Sequence, residues 1–260
     1  MPLITSDDGC LIYVEVEGAS DNPALMLSNS LGTNLSMWDD QADELAKHFR
    51  LIRYDRRGHG RSGVPQGPYS MARLGRDALA VLDTLKIAKA NWCGLSMGGM
   101  VGQWLGANAP DRLEKLVLSN THSYYPDKVP WEERIKTVRE KGLEKMVEGN
   151  MQRWFTGPFR ERAPDTMERM KAMFVATDPA GYIACCEAIR DMDFRPSNPA
   201  ISAPTLVIVG SQDVATPPTA GEAIAGQIKG AKVASIDAAH IANMEQPQAY
   251  TKVVLDFLLG

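Results

Sequence analysis

The sequence predicts an α/β fold, a mostly parallel central sheet flanked by helices with a helical cap insertion, and three observations predict it. Short β-branched or apolar runs alternate with segments of helical period. Most of those runs are apolar at consecutive positions, as strands covered on both faces must be. One stretch, residues 121–198, drops the alternation. Taken in order, residues 11–17 alternate apolar with acidic side chains and read as a half-buried strand. Residues 24–27, 51–54, 91–94, 116–119, 205–209 and 233–236 read as strands buried on both faces. Between them Met71, Leu74, Ala78, Val81, Leu82 and Leu85 recur at helical spacing, and a second helix covers 98–108, stopped by Ala109-Pro110. Two more helices, near 219–227 and 249–258, close the chain. Residues 121–198 lack a convincing buried strand, carry both charge signs densely from Glu132 to Glu148, and scatter Met, Trp and Phe. They read as helices inserted between the strand ending at Ser119 and the strand starting at Thr205. The expected division is a core of residues 1–120 and 199–260 and a cap of 121–198, with the charge run a solvated helix face.

Composition narrows the function. The 260 residues are 44% hydrophobic and 23% charged, an ordinary globular balance that needs no metal or disulfide to hold a core. Lys and Arg number 28 against 32 Asp and Glu, a net charge of -4, which argues against nucleic acid as a partner. No apolar run approaches the ~18 residues of a membrane span, and the first basic residue, Lys47, follows nine acidic ones. Neither a membrane partner nor a secretory or transit leader is expected. Cys10, Cys93, Cys185 and Cys186 form no C-x-x-C, which fits reduced thiols in a cytoplasmic protein.

The chemistry is concentrated at Gly94-Leu95-Ser96-Met97-Gly98, a G-x-S-x-G between a strand and a helix. A serine on such a strained turn is exposed for attack, and glycines two residues either side leave room for the neighbouring backbone. The helix behind Ser96 aims its N-terminal N–H groups at developing negative charge. In this architecture acid and base follow the serine in that order. Of the four histidines, His48 and His59 precede Ser96, and His122 comes before any well-placed acid. His240, in the loop after residues 233–236, is the candidate base. Asp213, in the exit loop of 205–209, is the candidate acid; Asp237 sits too near His240 to orient it, and Asn120 occupies the other strand end. The backbone N–H of Met97 and one from the loop 28–34, for which we choose Leu31, would form the oxyanion hole.

A second motif, Gly58-His59-Gly60-Arg61-Ser62-Gly63, matches G-x-G-x-x-G, with Asp83 twenty residues beyond. Its context does not suit a dinucleotide: Val64-Pro65-Gln66-Gly67-Pro68 follows where a helix should open, and Asp83 falls within a helix. We read a tight structural loop beneath the site.

Beyond these motifs the chain resembles the α/β-hydrolases and, among them, the 3-oxoadipate enol-lactonases of bacterial aromatic degradation. The resemblance runs nearly end to end. It is carried by Leu27-Ser-Asn-Ser-Leu-Gly-Thr33, Arg53-Tyr-Asp-Arg-Arg-Gly-His-Gly60, Cys93-Gly-Leu-Ser-Met-Gly-Gly-Met-Val-Gly-Gln-Trp104, Arg153-Trp-Phe155, Cys185-Cys-Glu-Ala-Ile-Arg-Asp191 and His240-Ile-Ala-Asn-Met-Glu-Gln-Pro247. Arg56 departs from it, standing where a smaller polar residue is expected. The resemblance implies hydrolysis of a small-molecule lactone carrying a carboxylate, by the triad Ser96, Asp213 and His240, with no metal or organic cofactor. The remote carboxylate of such a substrate needs a positive partner. The loops 29–34 and 94–99 contain no Lys or Arg, so we expect that partner in the cap, at Arg190 or Arg153, with Trp154 as the apolar wall. The same triad would equally serve a general carboxylesterase, a carbon–carbon bond hydrolase or a perhydrolase, and a slow ligand receptor could retain it.

Overall fold

The computed structural model describes residues 3–260. In chain order the first part comprises β1 (Leu3–Thr5), β2 (Leu11–Glu17), β3 (Ala24–Ser28), α1 (Asp39–Ala46), β4 (Arg50–Tyr54), α2 (Met71–Thr84), β5 (Ala90–Leu95), α3 (Met97–Asn108) and β6 (Leu113–Ser119). Five helices follow: α4 (Val129–Lys141), α5 (Val147–Trp154), α6 (Gly157–Arg162), α7 (Pro164–Val175) and α8 (Pro179–Asp191). The sheet resumes with β7 (Thr205–Gly210), α9 (Pro218–Gln227), β8 (Lys232–Ile236), α10 (Ala242–Glu245) and α11 (Pro247–Leu259). Among the described residues the sheet has eight strands in the order β1-β2-β4-β3-β5-β6-β7-β8. β1 pairs antiparallel with β2 and β2 antiparallel with β4; in the order β4-β3-β5-β6-β7-β8 all neighbours are parallel. No helix among these residues is long and apolar enough to cross a membrane.

Local sequence explains most of this. β5 and β7 bury every residue, because helices cover both faces of the central sheet. α2 starts where the Ser70 hydroxyl accepts the Arg73 N–H, and it turns Met71, Leu74, Ala78, Val81 and Leu82 inward. α3 ends one residue before Ala109-Pro110. Three elements lie outside the sequence expectations. β1 and α10 are too short to show a period, and α1 reads Asp-Asp-Gln-Ala-Asp-Glu-Leu-Ala, with the polar Gln41 among its buried residues. One expectation is corrected. The strand at 233–236 is not buried on both faces: β8 is the sheet's edge and leaves Lys232, Val233 and Ser235 exposed.

The helices between β6 and β7 sit over the carboxyl ends of the strands, and a glycine contact fixes one side of that seat. A Cβ on Gly181 of α8 would lie 2.3 Å from the Gly58 Cα, and a Cβ on Gly58 would lie 2.6 Å from the Gly181 Cα. The Gly58-x-Gly60 loop therefore provides a flat backbone on which α8 rests, closed on itself by Gly58 N–H to the Gly63 carbonyl at 2.9 Å. The Tyr69 N–H reaches the Ala184 carbonyl of α8 at 3.3 Å.

The contact yields a prediction. Gly181→Ala leaves α8 helical but forces it off the loop, so urea unfolding is expected to show a loss of about 1–3 kcal/mol. Unchanged stability would mean that α8 is not seated on this contact.

Candidate active site

Three strand ends deliver the polar groups of the site. Ser96 follows β5 with φ 56° and ψ −114°, outside the regions that L-residues ordinarily adopt. The turn is held by its surroundings. Ser96 N–H donates to the Ser119 carbonyl at 2.8 Å, and the Thr121 hydroxyl donates to the Ser96 carbonyl at 2.7 Å. The flanking glycines are obligatory, because a Cβ at Gly94 would meet the Gly98 carbonyl oxygen at 2.1 Å and one at Gly98 the Ser28 carbonyl oxygen at 2.1 Å.

The structure brings the three residues singled out in the sequence into one chain of hydrogen bonds. Ser96 Oγ lies 2.9 Å from His240 Nε2, and His240 Nδ1 lies 2.8 Å from Asp213 Oδ2. The aspartate makes Nδ1 the protonated nitrogen, which leaves Nε2 free to accept the serine proton. Asp213 itself is held by five donors. Its Oδ1 accepts the Ala215 and Thr216 N–H groups at 2.8 and 2.9 Å; its Oδ2 accepts the Thr216 hydroxyl, the Asn120 amide and the imidazole. Burial raises its pKa, but the His240 charge and these hydrogen bonds outweigh burial and hold the carboxyl at about 2. Asp237 instead accepts from Ser211 and Gln212 at the surface.

Asn120 and Thr216 carry more than the sequence indicated. Asn120 sits at φ 45°, and its amide donates both to Asp213 and to the Ala239 carbonyl, so one side chain ties Asp213 to the loop of His240. Asn directly after a strand, a residue type that tolerates the left-handed region, was the available signal.

The loop after β3 faces the serine. Asn29 anchors it, donating to the Tyr54 carbonyl and accepting from the Trp38 indole, each at 2.9 Å. Three residues further on, the Gly32 N–H donates to His59 Nε2 at 3.0 Å, so His59 from the second glycine motif holds this loop from below. Burial first, then the nearby Arg56 charge, pushes the His59 pKa down to about 3 and keeps the ring neutral. Arg56 is fully buried and bonds the Asn29 carbonyl. Among the described residues neither the Leu31 N–H nor the Met97 N–H is taken by a backbone acceptor, leaving both available to an oxygen beside Ser96.

A cavity of about 420 Å³ opens over Ser96 and His240 and reaches the helices above, where Trp131, Arg134, Arg153 and Trp154 line it. Arg153 and Trp154 are therefore where the sequence expectation put them. Arg190 is not: its guanidinium is bound by both oxygens of Asp191, at 2.9 and 2.8 Å, on the solvent side of α8, while its neighbour Ile189 faces the cavity. The charge run is exposed as expected at Glu132, Glu133, Lys136, Arg139, Glu140, Lys141, Glu144, Lys145 and Glu148, and Arg134 is its exception. Pro130, Arg134 and Thr137, one turn apart on α4, turn into the cavity, and Arg134 bonds the Tyr182 hydroxyl instead of water. The helical spacing of Trp131, Arg134 and Val138 within the run was a signal for that inward face. Arg134 and Arg153 form no ion pair among the described residues. Both donate to the same neutral acceptor, Asn150 Oδ1, at 3.3 and 2.7 Å. Burial first and then the Arg134 charge lower the Arg153 pKa, whereas the Arg134 pKa is raised, its burial outweighed by Tyr182 and the other acidic side chains beside it.

The sequence profile of the alpha/beta hydrolase fold matches residues 23–247. The chain is 41% identical to 3-oxoadipate enol-lactonase 2 of Acinetobacter baylyi, over 96% of this chain and 94% of that protein. It superposes on the crystal structure of an enol-lactonase from Burkholderia xenovorans with a TM-score of 0.98 and 43% identity, covering 100% of both chains. A thermophilic esterase from Thermogutta terrifontis superposes with a TM-score of 0.92 at 29% identity, covering 98% of this chain and 97% of that one.

A neutral buried His59 makes stability depend on pH. Its folded pKa of about 3 lies below the unfolded value, so the unfolded chain binds the extra proton and stability falls as pH drops from about 6.5 toward 3. His59→Gln, which can still accept the Gly32 N–H, is expected to remove about 2 kcal/mol of the stability difference between pH 7 and pH 5. Denaturant titrations of both proteins at the two pH values check this, and equal pH dependence would refute it.

Proposed function

The chain belongs to the α/β-hydrolase family, among its enol-lactonases, and from that membership we propose a serine hydrolase that opens the enol ester of 3-oxoadipate enol-lactone to 3-oxoadipate. In this proposal residues 121–198 act as a cap over a core of 1–120 and 199–260. The observation that carries it is the Ser96–His240–Asp213 relay at the floor of a cavity whose roof holds two arginines without a carboxylate partner.

The chemistry follows from the geometry. His240 Nε2 takes the Ser96 proton as Oγ attacks the lactone carbonyl carbon. The oxygen that gains the electron pair is received by the Leu31 and Met97 N–H groups. Asp213, ionised down to a pH of about 2, stabilises the imidazolium without taking its proton. Collapse of the tetrahedral intermediate breaks the bond to the ring oxygen, which leaves as an enol with the proton from His240 and tautomerises to the ketone. An enol leaves more readily than an alkoxide, so the cap need supply no strong acid. Water, deprotonated by His240, then attacks the acyl carbon, and Ser96 Oγ departs with the proton.

Arg134 and Arg153, in place of Arg190, are our candidates for the remote carboxylate. Two half-buried guanidiniums sharing one amide oxygen repel each other, and a carboxylate between them would relieve that repulsion while gaining charge-assisted hydrogen bonds. The 29%-identical esterase keeps a broader esterase reading in view, and one comparison decides between them. A kcat/KM for the enol-lactone more than a hundredfold above that for 4-nitrophenyl acetate supports the lactonase, and parity supports a general esterase.

Two further outcomes are expected. Ser96→Ala lowers kcat by roughly a thousandfold or more while Tm stays near wild type; retention of a tenth of the activity would overturn the assignment. Arg134→Met lowers kcat/KM for the lactone roughly tenfold or more, about 1.4 kcal/mol, and hardly changes 4-nitrophenyl acetate hydrolysis. Equal losses on both substrates would mean that Arg134 only supports the cap.

A further inference from the structure

Glu245 is a buried carboxylate that the proposed chemistry does not use. It lies five residues beyond His240, in α10, and is 4% exposed. Among the described residues it has no cationic partner. Its charge is met only by neutral donors: Oε2 accepts the Ala239 N–H at 3.0 Å and the Thr156 N–H at 3.3 Å, and Oε1 accepts the Thr156 hydroxyl. A buried carboxylate is costly unless its lone pairs are satisfied, so this one depends on those three donors.

The donors come from two places. Ala239 adjoins His240, whereas Thr156 belongs to the inserted helices and caps α6, its hydroxyl accepting the Phe159 N–H at 3.4 Å. Because that hydroxyl accepts from Phe159, its single proton is left for Glu245. On the other side of His240, the Ile241 N–H donates to the Trp154 carbonyl at 3.0 Å. Both residues flanking His240 are thus fastened, one through Glu245 and one directly, to the same three-residue cap segment 154–156. That segment also contributes Trp154 to the cavity wall.

We infer that Glu245, with Thr156, is a positioning group that couples the seat of the cap to the alignment of His240, an inference that rests on His240 serving as the base. The imidazole must serve Ser96 at 2.9 Å and then water at a similar reach, and a misplacement of about 1 Å costs on the order of a hundredfold in rate. If the segment 154–156 lifts, Glu245 loses two of its three donors and the loop of the base loses both of its ties to the cap. The seated cap is therefore the state in which the base is in register.

The test replaces one donor without changing shape. Thr156→Val removes the hydroxyl, and Thr156→Ser restores it; Glu245→Gln removes the charge. Steady-state kinetics are measured on the enol-lactone and on 4-nitrophenyl acetate, a small neutral ester with no carboxylate for the cap, alongside Tm. Thr156→Val and Glu245→Gln are expected to lower kcat about tenfold on both substrates with KM within twofold, and Thr156→Ser to recover most of the loss. Three results would overturn the inference: wild-type kcat in folded Thr156→Val, a loss confined to KM for the lactone, or a fall in Tm with kcat retained. Ser96→Ala run in parallel separates this from the function itself, since inactivity there with full turnover in Thr156→Val removes only the role of Glu245.

Discussion

Everything in this site depends on one backbone constraint, the left-handed turn at Ser96. Such a conformation costs of order 1–3 kcal/mol for a residue with a side chain, and it persists because the neighbourhood leaves no alternative. β5 is buried along its whole length, Gly94 and Gly98 bring backbones closer than any Cβ allows, and Ser119 and Thr121 bond the serine's own N–H and carbonyl. The strain lifts Oγ out of the sheet toward His240 and sets the start of α3 beneath it. Positioning of the Met97 N–H is a by-product of the same turn.

A second layer of control comes from groups that hold the reactive ones. Asn120 and Thr216 fix Asp213, Asn120 also grips the loop of His240, and His59 and Arg56 brace the loop that carries Leu31. Each contact is a buried hydrogen bond, worth little alone but expensive to leave unmade. The arrangement explains why the second glycine motif lies where it does. Its glycines give α8 a flat seat and its histidine supports the loop opposite Ser96, so one loop serves both layers.

The inserted helices are the variable part of the design. They supply the two arginines, the tryptophans of the cavity wall and Thr156, and they meet the core through a glycine contact on one side and a carboxylate on the other. The two stretches of chain also share backbone hydrogen bonds, Tyr69 N–H to Ala184 and Ile241 N–H to Trp154, and one hydrophobic core.

The sequence by itself determined most of the order of elements along the chain: which runs are strands, β1 apart, where the helices lie between them, α1 and α10 apart, and that Ser96, Asp213 and His240 follow the ends of β5, β7 and β8. It could do so because burial on both faces and the strand-turn-helix at Ser96 are local properties of the chain. Asp213 and His240 were legible because their loops follow recognisable strands and few histidines compete. What it could not decide was direction. Arg134 stands in a run of charges and Arg190 beside apolar neighbours, yet Arg134 turns into the cavity and Arg190 out to Asp191. The rotation of α4 and α8 about their axes is set by packing against each other and against the Gly58 loop, contacts between residues far apart in sequence. The same holds for Glu245: nothing local marks it, and only the tertiary fold brings Thr156 to it from 89 residues away.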